Sequence, residues 1–133
     1  MIRYMLDTNT VSHLIRGHAA VARRVVGLPM ASLCISAITK GELLFGLAKR
    51  TGAARLHAAV TEFLRRIDVL AWDGDAADGY GPIRAALERQ GRSLGSLDLL
   101  IAAHAISARA VLVTSDGTFA QVAALTLEDW TQP

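Results

Sequence analysis

Short apolar runs bounded by turn residues alternate along this chain with longer stretches whose apolar residues recur every three or four positions. The first kind of pattern predicts buried strands and the second predicts amphipathic helices. Ile2 to Leu6 reads as a strand that ends at Asp7-Thr8-Asn9 and feeds a helix over 10–16, closed by Gly17. A second helix over 19–28 stops at Pro29, and 32–36 forms the second strand. Leu43, Leu44 and Leu47 mark a helix over 40–50, and Leu56, Val60, Phe63 and Leu64 mark another over 53–67. A third strand over 68–71 and a helix over 75–90 lead to the turn Gly91–Gly95. A helix over 97–108, a fourth strand over 110–114 and a short helix over 119–123 before Leu125 to Leu127 complete the pattern. Because parallel neighbours need helical crossovers, this alternation predicts an α/β sandwich: a central, mostly parallel sheet flanked by helices.

Composition narrows the class. The 133 residues suit one domain spanning 1–133, and 52% hydrophobic against 20% charged residues is the balance of a folded chain. The basic residues number 14 against 12 acids, and all but Lys40 and Lys49 are arginine, whose planar fork matches phosphate. Nucleic acid or an acidic protein is therefore the expected partner. Cys34 stands alone inside an apolar strand and is read as a core thiol, with no disulfide possible. Met1 to Leu6 is too short for a signal peptide, and Asp98, His104 and Arg109 interrupt the longest apolar stretch, so a cytoplasmic protein without membrane contact is expected.

Four acids carry the chemistry. In a parallel α/β sheet, ligands bind outside the carboxyl ends of the strands. Asp7 ends the first strand, Asp116 follows the fourth, and Glu42 lies in the first turn of the helix leaving the second. Asp98 begins the helix that runs antiparallel into the fourth strand, which puts it at the same edge if strands one and four are neighbours. Each acid also has a plain structural reading. Asp7 can cap a helix, Thr39 and Glu42 fit a capping box, Asp98 complements a helix N-terminus, and Asp116 before Gly117 suits a turn. Brought together, four carboxylates require cations, and an oxygen-only set suits Mg²⁺ or Mn²⁺ rather than zinc. His13, His18, His57 and His104 lack zinc spacing, and His104 is read as structural. Phosphate-binding loops and the Gly-x-Ser-x-Gly elbow are absent, leaving metal-assisted phosphodiester hydrolysis as the best reading of the site.

The stretches Met5-Leu6-Asp7-Thr8-Asn9, Ile35 to Thr39 with Gly41-Glu42-Leu43, Gly91 to Asp98, Ala102 to Ala105, Leu112-Val113-Thr114 and Leu127 to Trp130 resemble the VapC toxins of the PIN-domain ribonucleases. The likeness runs over essentially the whole chain. It implies a PIN-like three-layer sandwich and a metal-dependent endoribonuclease of a type II toxin–antitoxin pair. It further implies RNA as substrate, with tRNA plausible, inhibition by a VapB-like antitoxin, and a homodimer. By the same resemblance Asp7, Glu42, Asp98 and Asp116 are the catalytic and metal-binding acids, with Asn9 and Thr114 as supporting polar residues. Ser93 and Ser96 replace prolines of close relatives, and the loop Ser115 to Phe119 is one residue short beside Asp116. Lys40, Lys49, Arg50, Arg84, Arg89 and Arg92 are the candidates for gripping RNA phosphates. The alternatives are a non-catalytic RNA- or partner-binding module on the same fold, or a nuclease acting on DNA.

Overall fold

Met5, Cys34 and Leu112 point to one side of the sheet, whereas Leu6, Ile35 and Val113, their neighbours in sequence, point to the other. That alternation on three adjacent strands requires an apolar layer on both faces. The computed structural model, which describes residues 1–133, supplies both. The strands are β1 (Arg3–Leu6), β2 (Leu33–Ser36), β3 (Asp68–Leu70), β4 (Ala110–Val113) and β5 (Leu127–Glu128). The helices are α1 (Thr8–Ile15), α2 (Ala19–Val26), α3 (Ala37–Ala48), α4 (Ala54–Arg66), α5 (Gly74–Arg89) and α6 (Ser96–Ser107). Val11, Val21, Leu43, Leu47 and Val60 of α1 to α4 cover one face. Leu87 of α5 and Leu99, Ile101, Ala102 and Ala105 of α6 cover the other. Helix α6 is apolar nearly all round because it lies between the sheet and α5.

The five strands run in the order β3-β2-β1-β4-β5, and every pairing is parallel. The expected mostly parallel sheet is thus wholly parallel. The chain winds outward from β1 to β3 and then returns to the other side of β1, so the winding reverses between β1 and β4. In this register Leu6 faces Val113. The Val113 carbonyl accepts the Asp7 N–H at 3.1 Å and the Thr10 hydroxyl at 2.9 Å, which locks the β1–α1 junction to the end of β4.

Element ends differ from expectation where a cap was misassigned. Helix α1 starts at Thr8, because the Asp7 carboxylate already accepts the Thr10 N–H at 2.8 Å. Helix α3 starts three residues earlier than the Thr39–Glu42 capping box predicts. Its N-cap is Ser36, whose hydroxyl accepts the Ile38 N–H at 3.1 Å, and Thr39 is buried inside the helix. Glu42 is therefore the sixth helical residue and caps nothing. The last short helix, expected over 119–123, is a 3-10 turn over Gly117–Gln121, and the short strand β5 follows at Leu127–Glu128. Gly17 and Gly91 both have positive φ, 81° and 67°, as the turns that close α1 and follow α5 require. No helix is long and apolar enough to cross a membrane.

Leu112 of β4 is fully buried in the core between the sheet and the α5–α6 layer, whereas Val26 is 85% exposed. Leu112→Ala is expected to cost about 2–5 kcal/mol of unfolding free energy in a urea titration. Val26→Ala should stay within about 0.5 kcal/mol.

Candidate active site at the carboxyl edge

Each acid is delivered to the β1–β4 edge by a different local device. Asp7 continues β1 and is only 4% exposed. Its Oδ1 caps α1, and its Oδ2 accepts no hydrogen bond. Glu42 extends from α3 with Oε1 accepting the Thr8 hydroxyl at 2.7 Å, which leaves Oε2 open. Asp116 follows β4 and caps the 3-10 turn, with Oδ1 accepting the Thr118 N–H at 2.9 Å and its hydroxyl at 2.8 Å. Its own N–H donates to Thr114 Oγ1 at 3.0 Å, so the shortened loop is still anchored. Three of the acids thus have one oxygen committed to the protein and one not.

Asp98 has neither oxygen committed. It lies in the first turn of α6, whose N-cap Gly95 contributes no side-chain cap, and a β-carbon at Gly95 would lie 3.6 Å from Asp98 Oδ2. Burial pushes its carboxyl above the usual range, and the charges of Asp116, Glu42 and Asp7 push it further in the same direction. The four residues that are scattered in sequence are therefore electrostatic neighbours. The positive end of the α6 dipole offsets part of this repulsion.

A site of oxygen donors with an unrelieved excess of negative charge fits a hard divalent cation. The acids do not form a cluster of three or more side chains close enough to ligate one ion directly. Zinc does not fit. His104 is 3% exposed and faces away into the core, where its Nδ1 lies 2.8 Å from Ser36 Oγ. Burial lowers its basicity, against opposing effects of Asp73 and the Ala71 backbone. His18 caps α2, and His57 bonds the Arg50 carbonyl. Cys34 is fully buried, and burial pushes its thiol up to about 11, which removes it as a nucleophile near neutrality.

One cavity adjoins Glu42, and a second lies beside the start of α6. The larger, about 370 Å³, opens beside Thr8 and Glu42 between α1, α3 and α4. Leu43, Leu47, Leu56 and Val60 form its apolar wall, and Arg16, Lys49 and Arg50 its basic one. The smaller, about 150 Å³, lies by the start of α6 and includes Arg84, Arg92 and Ser96. Lys49 and Arg50 therefore lie near Glu42, and Arg92 near the α6 entrance. Arg84 already donates to Glu88 and Tyr80. Lys40 and Arg89 are exposed and line neither cavity. Asn9 is exposed and its side chain makes no hydrogen bond, whereas Thr8, absent from the expected site residues, holds Glu42. Arg16 and Ser36 were missed as well. A hydroxyl directly after Asp7 was the available signal for Thr8, but no local pattern marks a contact between residues 34 positions apart.

The chain is similar to known proteins in both sequence and fold. The sequence profile described as PIN domain matches residues 4–125. The chain is 40% identical over 131 residues to a protein of Shigella flexneri named tRNA(fMet)-specific endonuclease VapC, covering 98% of this chain and 99% of that one. It is 35% identical to Ribonuclease VapC2 of Haemophilus influenzae over 98% of this chain and 99% of the other. Among solved structures, DNA-bound VapBC from Salmonella typhimurium superposes with a TM-score of 0.89 at 38% identity, covering 98% and 99% of the two chains. VapBC2 from Rickettsia felis, bound to a DNA fragment from the promoter, gives 0.88 at 33% identity with the same coverage.

The raised carboxyl of Asp98 makes a signed prediction. Below the ordinary carboxylate range Asp98 is protonated in both folded and unfolded chains, and repulsion costs nothing. As pH rises through its elevated range the folded state must release a proton that it holds more tightly than the unfolded state does, so stability falls. In chelator-treated protein at low salt, Asp98→Asn should raise Tm at pH 7, and the gain should vanish on acidification. Calorimetric scans across pH measure this, and a lower Tm at pH 7 would contradict it.

Proposed function

The chain belongs to the VapC group of the PIN-domain family, and from that premise we propose that it is a metal-dependent endoribonuclease, the toxin of a type II toxin–antitoxin pair. Asp98 carries the reading: a half-buried carboxylate without a hydrogen bond, crowded by three like charges, is costly unless it serves a ligand. The chain acts as one PIN-like domain over 1–133, in the cytoplasm where its RNA substrate is found, and as a homodimer. Asp7, Asp98 and Asp116 would hold Mg²⁺ or Mn²⁺, with Glu42 beside them. Bound there, a divalent cation supplies Lewis-acid polarisation of the phosphodiester and lowers the pKa of water.

The protein's own residues do the rest. Thr8 fixes Glu42 Oε1, so that Oε2 is aimed and free to take the proton of the attacking water. Thr10 holds Asp7 rigid by its N–H, and Thr114 anchors the backbone of Asp116. Lys49 and Arg50, joined by Arg16, form a basic approach from the large cavity. Arg92 forms another from the α6 side, with Lys40, Arg84 and Arg89 further out. Such contacts position an RNA backbone without reading its sequence, and tRNA is the substrate class suggested by the Shigella flexneri relative's name.

The large cavity suits a VapB-like antitoxin. It combines an apolar wall with three cations, and exposed Phe45 and Leu44 extend the apolar surface along α3. An amphipathic acidic segment matches both features. A non-catalytic RNA- or partner-binding module is the second reading, favoured by the cap bonds already made by Asp7 and Asp116.

Purified protein incubated with tRNA is expected to cleave only with Mg²⁺ or Mn²⁺, and Asp7→Asn and Asp98→Asn should each lose at least ~100-fold in rate, the scale set by removing a group that stabilises developing charge. Equal cleavage by wild type and Asp98→Asn would defeat the proposal, retained RNA binding with no cleavage would favour the second reading, and faster cleavage of single-stranded DNA would move the substrate to DNA. Arg16→Glu with Arg50→Glu should slow antitoxin association, read by stopped-flow at low salt.

A further inference from the structure

The hydrogen bond between His104 and Ser36 joins the two helices that carry Asp98 and Glu42. His104 sits six residues after Asp98 on α6, and Ser36 six residues before Glu42 at the cap of α3. Nδ1 and Oγ are 2.8 Å apart across a sequence separation of 68, with both residues buried, Ser36 completely. Ser36 Oγ also accepts the Ile38 N–H at 3.1 Å. Ser36 Oγ is thus shared between the first turn of α3 and the His104 ring of α6. Nearby, the Trp72 indole N–H donates to the Leu100 carbonyl of α6 at 2.9 Å, a tie from the exit of β3 to the same helix.

We infer that Ser36 and His104 are positioning residues for the acid site: their bond fixes α6 relative to the start of α3, and so fixes Asp98 relative to Glu42. Neither touches the acids. The need for such a device is plain, since mutual repulsion would separate the two helices and no hydrogen bond restrains the Asp98 carboxylate itself. A buried, directional polar bond supplies what apolar packing alone does not, a single register between the helices. The role presupposes the metal site proposed above.

The test separates the two. Mn²⁺ binding to the intact chain is measured by calorimetry, without RNA, for wild type, Ser36→Ala, His104→Leu and His104→Asn. His104→Leu keeps the α3 cap and removes the bond, whereas His104→Asn places an amide that can donate to or accept from Ser36 Oγ near the position of Nδ1. Ser36→Ala and His104→Leu should each weaken Mn²⁺ binding about tenfold, and His104→Asn should return it to within about twofold of wild type, on the scale seen when outer supports of metal ligands are removed. In the cleavage assay kcat should fall with KM for RNA unchanged. Wild-type Mn²⁺ affinity in a folded His104→Leu protein, or no recovery in His104→Asn, would overturn the inference while leaving the nuclease reading intact. Absence of Mn²⁺ binding by wild type would remove both. Mn²⁺ binding without any RNA cleavage would remove the nuclease reading alone. Should His104→Leu fail to fold, Ser36→Ala against Ser36→Thr makes the same comparison, and equal affinities there overturn the inference.

Discussion

The parallel pairing of β1 with β4 is the constraint on which the rest of the molecule depends. It places two fully buried strand ends side by side at the reversal of winding, with Leu6 opposite Val113. Asp7 and Thr114 emerge there from neighbouring strands, and the Val113 carbonyl ties the first turn of α1 to the same point through the Asp7 N–H and the Thr10 hydroxyl. Crossover geometry then brings in the remaining acids. Helix α6 must run back along the sheet to feed β4, so its first turn, with Asp98, lies at the end of β4 rather than at its start. Ser36 ends β2 at the same edge, and α3 carries Glu42 outward from it.

Gathering like charges conflicts with stability, and the structure divides that conflict unevenly. Asp7 and Asp116 each use one oxygen for a cap that their helical segments need anyway, so part of their charge is neutralised by backbone N–H groups. Glu42 has a hydroxyl. Only Asp98 has no hydrogen bond to its carboxylate, and burial together with the charges of the other three pushes that carboxyl up. The structural and the chemical readings of these acids are therefore not rivals. A capping carboxylate has two oxygens, and a cap consumes one.

Much of this was legible in the chain, for reasons that differ by residue. Strands and helices followed from periodicity, because Met5 and Leu6 or Leu112 and Val113 must face opposite layers and α6 must be buried all round. The start of α3 was misplaced because Ser36 and Thr39 are both good caps. The choice between them is made by burial of Thr39 and by the partner of Ser36, neither of which is local. Adjacency of β1 and β4 is likewise a tertiary fact. Thr8 was overlooked in favour of Asn9 because only the helix starting at Thr8 shows which side chain turns toward α3. His104 was rightly read as structural, yet its partner, 68 positions away, had no signature.

The site and the large cavity cannot be treated as separate surfaces. Thr8 and Glu42 belong to both, since their hydrogen bond forms one end of the space enclosed by α1, α3 and α4. Any occupant of that space that displaces the Thr8 hydroxyl from Glu42 Oε1 releases the carboxylate that the bond aims, without contacting Asp98 or Asp116. Under the proposed reading, a partner that broke this bond would act on the acids through Glu42 even while leaving the edge between β1 and β4 uncovered. The basic wall of Arg16, Lys49 and Arg50 faces the same space. An anionic partner and an RNA backbone would then compete for the same three cations. Under the proposed reading, inhibition and substrate entry share one surface because the fold has placed Glu42 on the wall between them.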